Sequence, residues 1–208
     1  MKTLSIDIET YSEASLSSTG VYRYAADPSF TVLLFAYSVD AGPVRIVDLA
    51  QGESLPAEVE AALSDPSVQK WAFNAQFERV CLSAYLGEKL DPRGWYCSMV
   101  WSTYAGIPLN LAGVAQALHL ETEKMTEGKD LIRKFSQPCK ATKSNGGRTR
   151  NLPEHAMEDW ETFKAYCVRD VEVERAIASR LTPLPMPAFE WENYWRDQRF
   201  NDMGVGID

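Results

Sequence analysis

The segment Leu4-Ser5-Ile6-Asp7-Ile8-Glu9-Thr10 constrains this chain more than any other stretch. Its apolar residues fall at every second position, the period of a half-buried β-strand. Leu4, Ile6 and Ile8 point one way, and Ser5, Asp7 and Glu9 the other. Two acids on one strand face lie about 6–7 Å apart, close enough to hold one cation together. An ordinary solvated strand face would carry the same pattern, so the alternation alone does not decide.

The rest of the chain gives that strand its setting. Residues 31–39 (TVLLFAYSV) form a second strand, and Ala41-Gly42-Pro43 breaks it from a third over 44–49, as in a hairpin. A short helix opens at Pro56. A strand over 69–73 leads to a helix over 74–86, with Asn74 as its cap. From about residue 98 the pattern is helical, with helices over 109–120 and 129–135. The run from 136 to 151 holds four basic residues, no acids and Gly146-Gly147, and reads as a mobile loop. A long helix starts at Pro153 and reaches about Leu181, with Trp160, Phe163, Cys167, Val171 and Ile177 on its apolar stripe. The proline-rich stretch 182–187 marks a boundary, and a last helix covers about 189–200. Strand, hairpin, alternating helix and strand, then helices: this order predicts an α/β domain, a mixed sheet with helices on both faces.

Composition narrows the function. The 208 residues carry 21 basic and 29 acidic side chains, a net charge of −8. That opposes a protein that coats long nucleic acid, which needs many phosphate contacts. It permits a site that holds a few nucleotides through metal ions. Four cysteines without a C-x-x-C pair, and only two histidines, give no structural zinc cluster; free thiols in a reducing compartment are expected. With no run of about 18 apolar residues and acids at positions 7 and 9, neither a membrane span nor a secretory leader is expected, and the cytoplasm is the expected location. Glycine-rich phosphate loops of the familiar spacings are absent.

Asp-x-Glu occurs three times: Asp7/Glu9, Asp159/Glu161 and Asp170/Glu172. The last two lie in the long helix, where residues two apart point away from each other. Only Asp7/Glu9 makes a shared platform. Tyr166 and Asp170 are four apart on that helix and share a face; a half-buried tyrosine beside a surface acid reads the same way. Glu78 sits in the first turn after Asn74, where a helix dipole alone would favour it. Taken together, three segments supply four carboxylates. Brought together they would repel strongly unless divalent cations intervened. Oxygen-only ligands favour magnesium or manganese over zinc, and paired ions of that kind serve phosphodiester displacement.

SIDIET (5–10), FNAQFE (73–78) and YCVRD (166–170) resemble the three motifs of the DEDD 3′–5′ exonucleases, the proofreading type. The resemblance covers about residues 1–182 and implies a ribonuclease-H-like (DnaQ-like) fold. Ala165 and Tyr166 match the tyrosine form of the third motif, typical of family A DNA polymerases. The tail, with Glu190, Trp195, Asp197-Gln198 and residues 201–208, resembles the entry to a family A polymerase domain. The stretch 128–135 followed by Pro138 resembles phage or prophage polymerases. One position departs: the second motif usually ends in aspartate, and here it is Glu78, one methylene longer with the charge kept.

What the resemblance implies is specific. Residues 1–182 would be the exonuclease domain, and 183–208 a linker and first helix leading to a polymerase domain. Two divalent ions, magnesium or manganese, would be held by Asp7, Glu9, Glu78 and Asp170, with Asp7 bridging them, Glu9 and Asp170 completing the first ion's shell and Glu78 serving the second. Tyr166 would orient the attacking water, since a phenol is a poor base at neutral pH. Thr10, Asn74 and Phe77 would position the terminal nucleotide, although a strand-end hydroxyl and a helix cap remain alternatives for the first two. The partner would be a single-stranded DNA 3′ end, and a monomer suffices. Lys140, Lys143, Arg148 and Arg150 either meet the DNA backbone or stay solvated. An RNA 3′ exonuclease with the same motifs, a non-catalytic exonuclease-fold scaffold and a ribonuclease-H-type endonuclease are the competing readings.

Overall fold

In the computed structural model, which describes residues 1–120, 128–204 and 206, β1 (Thr3–Tyr11) lies at the centre of a five-stranded sheet. β2 (Thr31–Val39) and β3 (Arg45–Asp48) form the expected antiparallel hairpin, and β2 pairs antiparallel with β1. β4 (Gln69–Ala72) and β5 (Trp95–Cys97) extend the other side in parallel. The order is β3-β2-β1-β4-β5, so the sheet is mixed, as the sequence predicted.

Helices cover both faces. α1 (Leu16–Ala25), α2 (Ala57–Ser64) and α3 (Ala75–Leu86) pack on one. There Leu4, Ile6 and Ile8 meet Tyr24, Val59, Cys81 and Leu82 in one core. α6 (Gly128–Phe135) and the 25-residue α7 (Met157–Leu181) cover the other. Tyr11, Leu34 and Ala36 there pack on Phe135, Trp160, Phe163 and Cys167. α4 (Ser98–Tyr104), α5 (Leu111–Ala117) and α8 (Ala188–Met203) complete a third cluster around Trp101, Val114, Ile177, Trp191 and Trp195. Each side of β1 thus buries its own core, which is what period-two alternation in a central strand requires. Among the described residues, no helix is long and apolar enough to cross a membrane.

Two irregularities shape the site. The β1–β2 register slips between Glu9 and Thr10: Glu9 opposes Leu34 but Thr10 opposes Val32, so Leu33 is an extra, bulged residue. On the other side, pairing with β4 stops at Ser5 opposite Trp71. From Asp7 onward that edge of β1 has no ladder partner, and the start of α3 approaches there.

Five details differ from the sequence reading. α1 was not foreseen; its serine-rich first half and Gly20, held at φ 74° in the left-handed region, conceal the helical period. β5 has only three residues, too few to show a period. Asn74 does precede α3, but its backbone is left-handed (φ 78°, ψ 45°) and its side chain makes no capping bond. The basic loop, expected to be mobile, is folded on itself: Cys139 donates its backbone N–H to Thr149, and the Asn145 side chain bridges to Lys140 and Arg148. The proline-rich stretch does not detach α8, because Trp195 Nε1 donates to Trp95 O (2.7 Å) and Trp101 Nε1 to Leu184 O (2.8 Å). Of the tail resembling a polymerase entry, Val205, Ile207 and Asp208 lie outside the described residues.

Candidate active site

α7 runs antiparallel to β1 across the face that carries Ser5, Asp7 and Glu9. Cys167 fixes the register: its thiol lies 3.6 Å from the Asp7 carbonyl oxygen and 3.3 Å from Asp7 Oδ2, donating to both. Burial, then the negative charges of Asp7 and Glu9, push that thiol far up, so it stays a donor. The sequence identified Cys167 only as an apolar stripe residue. With Cys167 on Asp7, helical spacing sets Tyr166 and Asp170 beside the same acidic strand.

Tyr166 is 2% exposed, and its ring stacks on Phe163 at 6.2 Å between centroids. Its phenol is held far above the ordinary value, first by burial, then by the charges of Asp170, Glu9 and Asp7 and by a hydrogen bond to Asp170. It therefore keeps its proton and cannot act as a base near neutral pH. On its outer side the ring meets Gly128, the first described residue of α6. A Cβ at that glycine would stand 2.1 Å from Tyr166 Cε2. Only a residue without a side chain allows this approach.

Glu78 comes from the opposite layer. α3 begins at the unpaired edge of β1, and its first turn places Glu78 close enough to feel the charges of Asp7, Glu174 and Asp170. The carboxyl is 3% exposed, and its Oε2 is buried without a hydrogen-bond partner. Burial first, and then Asp7, raise its pKa well above the ordinary carboxylate value. A longer glutamate thus still reaches the site. The four acids named from the sequence and Tyr166 share one neighbourhood at the gap between β1 and β4.

The chemistry of this set fits hard cations. All donors are oxygens, one is an orphaned buried carboxylate oxygen, and the local pKa shifts register mutual repulsion. Asp7, Glu9, Glu78 and Asp170 would be the residues to hold such ions. Among the described residues, no group of three or more His, Cys, Asp or Glu side chains is placed to hold a metal ion as it stands.

Sequence reasoning missed a fifth acid. Glu174 follows Asp170 by one helical turn, lies beside Ser5 and Ser98, and is 1% exposed. Burial raises its pKa to about 7. The two serine hydroxyls favour its charged form, but neither reaches hydrogen-bonding geometry, and both carboxyl oxygens are buried without partners. Its spacing of four from Asp170 was the available signal.

The nucleotide-positioning candidates fare unevenly. Thr10 lies on the strand face opposite Asp7 and Glu9, and its hydroxyl shares a 2.8 Å hydrogen bond with Tyr24 OH. Phe77 packs partly buried against the Tyr24 ring, 6.1 Å between centroids. Asn74 is exposed at the start of α3. In the basic loop, Arg150 lies over the Tyr11 ring at 3.9 Å and donates to Thr31 Oγ1, while Arg148 bonds Asn151 and the Asn145 carbonyl. Lys140 and Lys143 remain exposed.

Comparison with known proteins bears on the fold. No protein-family profile matches the chain. Over all 208 residues it is 53% identical to the DNA polymerase of Bacillus phage SP02, of which it spans 32%. Among solved structures, Brucella melitensis NrnC with bound Mg2+ is similar at a TM-score of 0.58 and 13% identity, covering 98% of this chain and 87% of that one. Escherichia coli RNase D, an exoribonuclease involved in structured RNA processing, also gives 0.58, at 12% identity over 99% of this chain and 46% of that one. Trypanosoma brucei RNase D gives 0.52 at 19% identity, covering 86% and 57%. The chain therefore has the ribonuclease-H-like fold of the DEDD exonucleases and is, along its whole length, a relative of about one third of a phage DNA polymerase.

Proposed function

We propose that this chain is a metal-dependent 3′–5′ exonuclease that removes nucleoside 5′-monophosphates from single-stranded or frayed DNA ends, as the proofreading part of a DNA polymerase. The observation that carries the reading is the facing of two stripes: Asp7 and Glu9 on β1 opposite Tyr166 and Asp170 on α7, with Glu78 entering from α3. Two magnesium or manganese ions, when bound, would activate a water and neutralise charge on the phosphate being cleaved. Asp7, Glu9, Glu78 and Asp170 would hold them. Cys167 keeps Asp7 oriented by donating to its carboxylate. Tyr166, locked in its protonated form and donating a hydrogen bond to Asp170, would orient the attacking water by accepting a hydrogen bond from it, without removing its proton. Glu78 must lose its proton before it can ligate, which couples ion binding to pH.

The choice of DNA rests on the phage polymerase relative. In this reading residues 1–182 carry the chemistry and 183–208 lead towards a polymerase domain, in the cytoplasm of a bacterial or phage-infected cell. The exposed Lys140 and Lys143 are the loop cations available to a DNA backbone. A second reading, an RNA 3′ exonuclease, is favoured by the RNase D structures. Rates on matched DNA and RNA oligonucleotides decide between them: faster DNA shortening is expected, and faster RNA shortening would overturn the first reading.

A further inference from the structure

Arg79, the residue after Glu78, is buried to 2% side-chain exposure, and its partner Asp202, 123 positions later in the last turn of α8, to 3%. The pair is bidentate: Nη2 to Oδ1 at 2.7 Å and Nη1 to Oδ2 at 3.0 Å. The same guanidinium donates to Leu90 O (3.0 Å) and Gln198 Oε1 (3.3 Å), and Tyr22 donates its hydroxyl to Asp202 Oδ1 (2.7 Å). Four segments thus meet at this ion pair: α1 through Asp202, and α3, the turn before β5 and α8 through Arg79. Tyr194, also on α8, is half-buried beside Cys97 and close enough for its phenol to feel the charges of Arg79 and Glu78.

The exposed ion pairs of α8, Arg93–Glu192 and Arg199–Asp91, can contribute little. A desolvated bidentate pair behaves differently, because removing one partner strands a buried charge. We infer that the Arg79–Asp202 pair is a positioning contact through which α8 sets the first turn of α3, and with it Glu78, for metal binding. This rests on the reading that Glu78 belongs to the ion-holding set. Glu78 has no hydrogen bond of its own at Oε2, so its placement depends on the backbone of that turn. The neighbouring residue pins that backbone, and the pin is supplied by the far end of the chain.

The test compares Asp202→Asn, Asp202→Glu and Tyr22→Phe with the unaltered 208-residue chain. Mn2+ binding is followed by electron paramagnetic resonance, and kcat and KM on a single-stranded DNA oligonucleotide are measured well below each variant's melting temperature. Loss of a contact supporting a metal ligand weakens metal affinity by about 10- to 100-fold. Asp202→Asn is expected to raise half-saturating Mn2+ by that factor and to lower kcat with KM little changed, with excess Mn2+ restoring part of the loss. Asp202→Glu and Tyr22→Phe should give smaller shifts of the same kind, and they carry the test if Asp202→Asn does not fold. Trp195→Phe, which removes a different α8 anchor, should lower the melting temperature and leave half-saturating Mn2+ unchanged. Variants at 202 and 22 that melt earlier but bind Mn2+ like the parent would overturn the inference alone. A parent that binds Mn2+ but leaves DNA intact would sink the proposed activity and not this contact. A parent that binds no Mn2+ would sink both.

Discussion

Replacing Gly128 by alanine should disable Tyr166 without touching a single carboxylate. The added Cβ would lie 2.1, 2.6 and 2.7 Å from Tyr166 Cε2, Cζ and Cδ2. Opening the shortest of these to an ordinary contact of 3.4 Å needs about 1.3 Å of movement. The ring cannot easily supply it: Tyr166 stacks on Phe163, and Phe163 stacks on Phe135 at 5.5 Å. Either α6 backs away or the phenol leaves its place above Asp170. Overpacking of this kind costs about 1–3 kcal/mol, and a misplacement near 1 Å can cost about 100-fold in rate. Gly128→Ala is therefore expected to lower the melting temperature and cut the single-turnover exonuclease rate by about 10- to 100-fold. The decisive arm is the double-mutant cycle with Tyr166→Ala. On that background the alanine fills vacated space, so its added cost should nearly vanish. Parental rate and stability in Gly128→Ala, or full additivity in the cycle, would refute the steric reasoning.

Other expectations follow from the buried acids. Glu174, raised from 4.5 to about 7, holds a proton in the native state that the unfolded chain releases, so metal-free stability should fall as pH rises from about 4.5 through 7. That rise corresponds to about 3–4 kcal/mol at most; Glu174→Gln should flatten the slope and be the more stable form at pH 8 in denaturant unfolding, and an unchanged slope would contradict this. Because Glu78 is raised by burial and by Asp7, metal binding should release protons and weaken as pH falls, measurable by calorimetry in buffers of different ionisation enthalpy; binding without proton release would argue against Glu78 as a ligand. Glu78→Gln should stabilise the metal-free chain while weakening Mn2+ binding at least about tenfold, the usual opposition between stability and a strained site. A variant neither stabilised nor weakened would remove Glu78 from the site.

How much of this was legible from the sequence depended on the range of the cause. β1 and α7 carry strong periods, so their faces, and the pairing of Asp7 with Glu9 and of Tyr166 with Asp170, could be read directly. Thr10, expected to position the terminal nucleotide, instead shares the face of Ile8, away from the acids, where its hydroxyl makes a 2.8 Å bond with Tyr24 OH. α1 and β5 were hidden for local reasons, a left-handed Gly20 and a length of three residues. Asn74 shows that a capping residue type does not guarantee a capping bond, since its left-handed backbone turns the side chain away. Gly128 against Tyr166 and Arg79 against Asp202 are contacts between distant segments. No local pattern encodes them, because they exist only once β1, α3, α6, α7 and α8 have packed.

The most direct measurement is incubation of the 208-residue chain with a 5′-labelled single-stranded DNA oligonucleotide and magnesium, beside Asp7→Ala and a metal-free control. A ladder that shortens one nucleotide at a time from the 3′ end, absent in the variant and in chelator, is the expected result. Internal cuts, or an oligonucleotide left intact with both magnesium and manganese while the chain remains folded, would contradict a 3′–5′ exonuclease built on Asp7, Glu9, Glu78 and Asp170.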